Sequence, residues 1–243
     1  MLILAMESSA KPASVAICSD GVLIGQYFQN SGLTHSRTLL AMAEALLRNL
    51  DLTVKDIGLV AVSNGPGSFT GVRIGVSAAK GIAWGLDIPV CGVSTLEAMA
   101  YQVTGTNALL CPVMDARRSQ VYNALFEWRD GTLARLCEDR AISLEDLAAG
   151  LAESQTPQRP DPPGSRSPDS DISAPIVLIG DGAEISRDYL AATGIPCRIA
   201  PDLLRWQTAY GVALAALHAG HIPAVELEPT YLRPSQAERE SNR

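Results

Sequence analysis

The sequence predicts an α/β protein built from two copies of a βββαβα-type unit. Three observations carry this reading. Three short strand patterns follow one another at the N-terminus with no helix between them, strands then alternate with helices, and the same order returns in the second half. At 243 residues, 47% hydrophobic and 19% charged, the chain has the length and apolar content for a sizeable core. The pattern divides it into a first unit over 1–104 and a second over 105–243.

The first unit opens with strands at Leu2 to Met6, Ser14 to Cys18 and Val22 to Gln29, the last two joined by the tight turn Ser19-Asp20-Gly21. Short turns imply an antiparallel meander. From His35 to Asn49, Leu39, Leu40, Ala43, Leu46 and Leu47 recur at the helical period and give one apolar face. A strand at Leu59 to Ser63, a helix over Val72 to Trp84, a strand at Val90 to Val93 and a helix over Thr95 to Val103 complete the unit. Strands that alternate with helices are expected to be parallel and buried.

The second unit reads as strands at Leu109 to Met114, Gln120 to Glu127 and Leu133 to Cys137, then a helix over Leu144 to Ala152. A strand at Ile176 to Ile179, a helix over Glu184 to Ala192, a short strand near Arg198 and a helix over Thr208 to Ala219 follow, the last expected to pack back on the first unit. The stretch 155–175 is rich in Pro, Ser and Asp and reads as a disordered-type surface excursion.

Composition excludes several classes. No apolar run is long enough to span a bilayer, and the short apolar start meets Glu7 without a basic leader, so the expectation is a cytoplasmic protein with no membrane partner. A net charge of −7 disfavours direct nucleic-acid binding by this chain alone. The five cysteines, Cys18, Cys91, Cys111, Cys137 and Cys197, are far apart without a C-x-x-C pair and read as reduced thiols.

The most specific feature is the loop Ser63-Asn64-Gly65-Pro66-Gly67-Ser68-Phe69-Thr70-Gly71 that joins a strand to a helix of small residues. It is neither a phosphate-binding lysine loop nor a G-x-G-x-x-G fingerprint, because no lysine follows the last glycine and the third glycine comes one residue late. Gly71, Gly75, Ala78, Ala79 and Ile82 fall on one helical stripe, and each interior glycine costs a helix about 1 kcal/mol relative to alanine. Such a bare stripe lets another backbone approach, either the chain's own sheet or a partner's helix.

Catalytic constellations are sparse. His35 stands alone, and His218 and His221 flank Gly220 at a helix end, where a C-cap accounts for them better than a zinc site. G-x-S-x-G and H-E-x-x-H are absent. Glu7, Ser8 and Ser9 at the end of the first strand, with Gly65, Gly67 and Ser68 in the loop, are the candidates for a nucleotide or phosphate vicinity, although Ser8 and Ser9 equally make an ordinary turn. Asp115-Ala116-Arg117-Arg118 could clamp an anion or form a local salt bridge in a hairpin turn.

These residues carry a resemblance. Through Leu4-Ala5-Met6-Glu7-Ser8-Ser9, the run from Gly65 to Gly75 and Gly92-Val93-Ser94-Thr95-Leu96, the chain resembles the glycoprotease-like family of bacterial tRNA threonylcarbamoyladenosine biosynthesis proteins, TsaB. Asp115 to Arg118 and Pro229-Thr230-Tyr231-Leu232-Arg233 extend the match more thinly. The resemblance implies the actin-like ATPase fold (acetate kinase/heat-shock/actin) and a non-catalytic scaffold that pairs as a heterodimer with its catalytic paralogue, TsaD. That paralogue holds a metal through H-x-x-x-H, where this chain has Thr95 and Met99. It further implies no metal or cofactor of the chain's own, with ATP or ADP a candidate in the assembled complex, a TsaE-like ATPase on the complex, contact with tRNA only through it, and a homodimer when alone.

On this resemblance the partner interface is Leu39, Leu40, Ala43 and Leu47 on one helix and Gly71, Gly75, Ala78, Ala79 and Ile82 on the other. Glu7 stands where the family usually has Asp, and Gln120 where Glu is common, which removes support for an inherited phosphate or metal role there. The rival readings are a stand-alone metallopeptidase and an independent ATPase of the same fold.

Overall fold

In the computed structural model the described residues are 1–155 and 175–233, so the excursion read over 155–175 lies outside them for 156–174. The first sheet is formed by β1 (Leu2–Glu7), β2 (Ala13–Ser19), β3 (Val22–Gln29), β4 (Leu59–Gly65) and β5 (Val90–Ser94), in the order β3-β2-β1-β4-β5. β1 pairs antiparallel with β2 and parallel with β4, as an N-terminal meander followed by a crossover requires. The β2–β3 turn places Asp20 at φ 49° and Gly21 at φ 82°, the two positive values that an Asp-Gly hairpin supplies. The helices are α1 (His35–Asn49), α2 (Phe69–Leu86) and α3 (Thr95–Tyr101). α2 starts three residues earlier than the pattern of small residues suggests, because the Ser68 hydroxyl accepts from the Gly71 amide and caps it.

The second sheet repeats the order. β6 (Leu109–Asp115), β7 (Gln120–Asn123), β10 (Arg140–Ser143), β11 (Ile176–Ile179) and β12 (Cys197–Ile199) run β10-β7-β6-β11-β12, with β8 (Phe126–Arg129) and β9 (Thr132–Arg135) as an added hairpin. The third strand of this meander is therefore Arg140–Ser143, and the expected Leu133 to Cys137 strand belongs to the hairpin, whose turn Asp130-Gly131 again has both φ positive. The strand expected over Gln120 to Glu127 is broken in two. Asn123 faces Val113 and Phe126 faces Leu110 in the same register, and the interruption falls opposite Pro112, which has no amide to donate. The Asn123 side-chain amide donates to the Pro112 and Ala124 carbonyls left there, at 3.0 Å each.

The helices stack in layers. α1 and α2 cover the outer face of the first sheet through Leu39, Leu46, Val72, Val76 and Ala83. α4 (Leu144–Gln155) and α5 (Ala183–Ala192) cover the outer face of the second through Leu147, Leu151, Ala183 and Leu190. Between the sheets, after the short α6 (Asp202–Arg205), α7 (Ala209–Ala216) packs on β1, β2, β4 and β5, while α3 packs on the second sheet through Leu96, Met99 and Ala100. The two helices cross at Gly211, where an added Cβ would lie 2.3 Å from the Ala98 carbonyl oxygen.

After α7 the chain returns to the first unit. Val90 and Ile222 exchange both backbone hydrogen bonds at 2.9 Å, Leu227 is buried in the outer core, and the Lys80 ammonium donates to the Val225 and Leu227 carbonyls. Among the described residues all five cysteines are free thiols; burial pushes Cys18 and Cys91 up to about 11 and Cys111 up to about 12, so these three stay protonated at neutral pH.

Candidate functional site

The turn after β1 is sealed. Glu7, Ser8 and Ser9 are at most 1% exposed, since the glycine loop and the first turns of α2 lie directly on them. A Cβ on Gly71 would sit 2.1 Å from the Ser8 carbonyl oxygen, on Gly75 2.5 Å from the Ser8 hydroxyl and 3.2 Å from Val62, and on Gly67 2.5 Å from the Ser9 carbonyl oxygen. The Ser8 hydroxyl donates to the Gly71 carbonyl at 2.9 Å and the Ser68 amide to the Ser9 carbonyl at 2.6 Å. Glu7 and Ser8 consequently face the chain's own loop, not the cleft. Gly65, at φ 127°, is packed against the Thr230 carbonyl, so of the six residues expected near a nucleotide only Ser9, Gly67 and Ser68 border open space.

Glu7 is a buried carboxyl with one oxygen satisfied. Its Oε1 accepts from the Ser9 amide at 2.5 Å, while Oε2 and the hydroxyls of Ser9 and Ser63 complete no hydrogen bond. Burial pushes its pKa up, against the smaller opposing pull of the Ser9 and Ser63 groups. A carboxyl raised in the native state binds its proton more tightly there than in the unfolded chain. Its favourable contribution is complete below the unfolded pKa and is lost as pH rises through the folded one. Glu7→Gln keeps the acceptor for Ser9 without the titration. In thermal unfolding the difference in stability, variant minus wild type, should rise with pH above the ordinary glutamate range, by up to about 1.4 kcal/mol per unit while native Glu7 stays protonated. Parallel curves would show that Glu7 does not titrate anomalously.

A cleft of about 610 Å³ separates the units, bordered on one side by Lys11, His35 and the α2 N-terminus and on the other by Asp115, Arg117 and Asp181. The Asp181 carboxylate accepts from Gln207 at 3.0 Å, and burial pushes its pKa up, with the Asp115 charge adding to the effect and the Gln207 and backbone hydrogen bonds opposing it. In the Asp115 to Arg118 turn neither arginine bridges to Asp115. The Asp115 side chain instead accepts from the Arg117 amide at 2.7 Å, in a turn where Arg117, Arg118 and Ser119 all have positive φ. His218 stacks on Tyr101 at 5.2 Å, and His35 Nε2 lies 2.8 Å from the Ala10 carbonyl. Among the described residues no group of three or more His, Cys, Asp or Glu is arranged to hold a metal ion. Thr95 and Met99 are buried in α3, Met99 within the core shared with the second sheet.

The outer helices present the third feature. Leu39, Ala43 and Leu47 on α1, and Gly71, Gly75 and Ala79 on α2, are buried against the first sheet and its turn. The expectation that Gly71, Gly75 and Ala79 face a partner is corrected, because the backbone that the glycines admit is the chain's own, whereas Leu39, Ala43 and Leu47 point chiefly inward and reach the surface only as the floor of two outer grooves. What remains outside is Leu40, 51% exposed, with Ala78 and Ile82 half-buried. Two largely apolar grooves of about 580 and 590 Å³ meet at Leu40, the first between α1 and α2 and the second between α1, the segment that follows it and Ile82. One is closed by His35, Phe69, Arg73 and Ile74, the other by Leu47, Leu52, Val54 and Ile82.

At the end of the first groove lies a clamp to which sequence reasoning gave no role. The Phe69 and Tyr231 rings stack at 4.7 Å, the Arg73 guanidinium sits 3.9 Å above Phe69, and its Nε donates to the Tyr231 hydroxyl at 2.8 Å. Asn64 accepts from the Thr230 amide at 2.6 Å, and Arg233 donates across the cleft to the Ala116 carbonyl at 2.8 Å. The signal in the sequence was the run Pro229-Thr230-Tyr231-Leu232-Arg233, which no local pattern explains.

A five-stranded sheet and a seven-stranded one whose five-strand path repeats the same order, with crossing helices between them and a cleft at their strand ends, define an actin-like protein. Solved structures from Pseudomonas aeruginosa share this fold: one described as an uncharacterized protein with similarity to the peptidase YeaZ superposes with a TM-score of 0.72 over 96% of this chain and 99% of that chain at 23% identity. Residues 29–233 match the family model described as TsaD, tRNA N6-adenosine threonylcarbamoyltransferase. The Escherichia coli tRNA threonylcarbamoyladenosine biosynthesis protein TsaB is 37% identical over 242 residues, covering 98% of this chain and 96% of the relative. The Bacillus subtilis protein of the same name is 36% identical over 157 residues, covering 65% and 69%. The chain belongs to the TsaB family.

Proposed function

We propose that the chain serves tRNA threonylcarbamoyladenosine biosynthesis as a non-catalytic subunit that pairs with the catalytic TsaD paralogue through the outer face of α1 and α2. The role in this pathway rests on the relatives' shared name. The observation that carries the scaffold reading is the apolar groove pair around Leu40, on helices whose inner faces are already fully used. A solvent-exposed leucine between two apolar grooves is a surface suited to burial against another helix pair.

The inner site favours the same reading. The strand-one turn is closed over by glycine contacts, and the two α3 positions that would have to carry imidazoles are a threonine and a methionine in the core. In this reading ATP or ADP belongs to the assembled pair, a TsaE-like ATPase joins that pair, tRNA is met only through it, and without the paralogue the same face closes on a second copy.

Light scattering after gel filtration of the chain alone, and mixed with the TsaD paralogue of its own species, tests this with and without ATP. A one-to-one heterodimer is expected, with no nucleotide turnover by the isolated chain. Two unmixed species under every condition would overturn the pairing, and ATP hydrolysis by the chain alone would favour the independent ATPase.

A further inference from the structure

We propose that Tyr231, on the C-terminal strap, is a positioning residue for the docking groove between α1 and α2. This inference rests on the pairing reading above and adds a part of the chain that lies outside both helices. Phe69 and Arg73 wall one end of the groove, and the same two side chains carry Tyr231 on their other side.

The geometry explains why the strap acts through them. Arg73 is an exposed residue on the outer turn of α2, and left alone its long side chain would sample many rotamers. Here it is held twice, by its guanidinium against the Phe69 ring and by its Nε on the Tyr231 hydroxyl. Phe69 in turn is held by stacking on Tyr231. Freedom that would otherwise be lost when a partner docks is already lost in the free chain, which is preorganisation of the groove wall.

The strap keeps its own place without the Tyr231 ring. The Thr230 amide donates to Asn64, the Asn64 side chain donates to the Glu228 carbonyl at 3.1 Å, the Thr230 carbonyl fills the space beside Gly65, and Arg233 reaches Ala116 in the second unit. A change at Tyr231 therefore removes the clamp and leaves the backbone path intact. Because Arg233 ties the strap to the second unit, the groove wall is linked to the inter-unit cleft through one short peptide.

The test is the dissociation constant for the species' own TsaD paralogue, measured by titration with wild type, Tyr231→Ala, Tyr231→Phe, Arg73→Ala and the Tyr231→Ala/Arg73→Ala double variant. Tyr231→Ala should weaken pairing about tenfold, and Tyr231→Phe, which keeps the stack and loses the hydroxyl, about threefold. The double variant should bind no more weakly than the worse single variant, since both changes remove one clamp. Should Tyr231→Ala fail to fold, Tyr231→Phe and Arg73→Ala carry the test. Wild-type affinity in the Tyr231 variants, or strictly additive losses in the double variant, would overturn the inference while leaving the pairing reading standing. If wild type itself does not pair, both fall together.

Discussion

Gly71→Ala should destabilise the protein by about 3 kcal/mol or more, a larger effect than overpacking usually produces. The added Cβ would lie 2.1 Å from the Ser8 carbonyl oxygen, a backbone atom that no rotamer change can move. Ser8 is itself fixed: it sits at the end of the central strand, and its hydroxyl already donates to the Gly71 carbonyl. Relief requires α2 to lift from the sheet, which opens the core at Val72, Val76 and Ala79. For a chain of this size such a loss corresponds to roughly 6–12 °C in Tm.

Gly81→Ala is the internal control. Gly81 lies in the same helix, and a Cβ there meets nothing within 4 Å, so the usual gain of about 0.5–1 kcal/mol from replacing a helical glycine is expected. Opposite signs from two glycines ten residues apart would establish that the loop is packed against the strand-one turn. Equal small effects from both would show that α2 does not rest on Ser8 as described.

The contrast marks what the sequence could and could not say. That a stripe with glycines admits a close neighbour was legible from spacing and propensity alone. Which neighbour was not, because Ser8 and Ser9 are some sixty residues away in the chain and meet Gly71 and Gly67 only through the β1–β4 pairing. The α1 helix was legible to its ends, since its apolar period and flanking polar residues coincide with His35–Asn49. The same period picked out Leu40 together with Leu39, Ala43 and Leu47 and could not separate the residues that the core takes from Leu40, the one large apolar residue of α1 left on the surface.

Elsewhere the misses have local causes. β10 is four residues, Arg-Ala-Ile-Ser, with no apolar alternation, and is a strand only because β7 offers it a ladder. The break between β7 and β8 is set by Pro112 on a neighbouring strand, which no window over 120–127 contains. The β8–β9 hairpin, by contrast, carried its Asp130-Gly131 signal in plain view. The clamp of Phe69, Arg73 and Tyr231 joins residues 158 positions apart and leaves no periodic trace.

Leu40→Asp should abolish pairing with the catalytic paralogue and leave the isolated chain folded. Leu40 is 51% exposed between the two outer grooves, so in the free chain an aspartate there stays hydrated and costs little beyond its lower helix propensity. In a pair it would be buried against the apolar surface of a partner, and Ala78 and Ile82 alongside it offer no hydrogen bond, while Arg73, the cation in the wall of the first groove, is already held by Phe69 and Tyr231. A central apolar anchor replaced in this way should cost about 3 kcal/mol or more of binding, over a hundredfold in Kd. Leu39→Asp, one residue away but 1% exposed, should instead unfold the chain before any partner is added. Circular dichroism and light scattering on the two variants separate the inward from the outward face of α1. A Leu40→Asp protein that is folded and still pairs at wild-type affinity would remove this face from the interface and return the search to the inter-unit cleft.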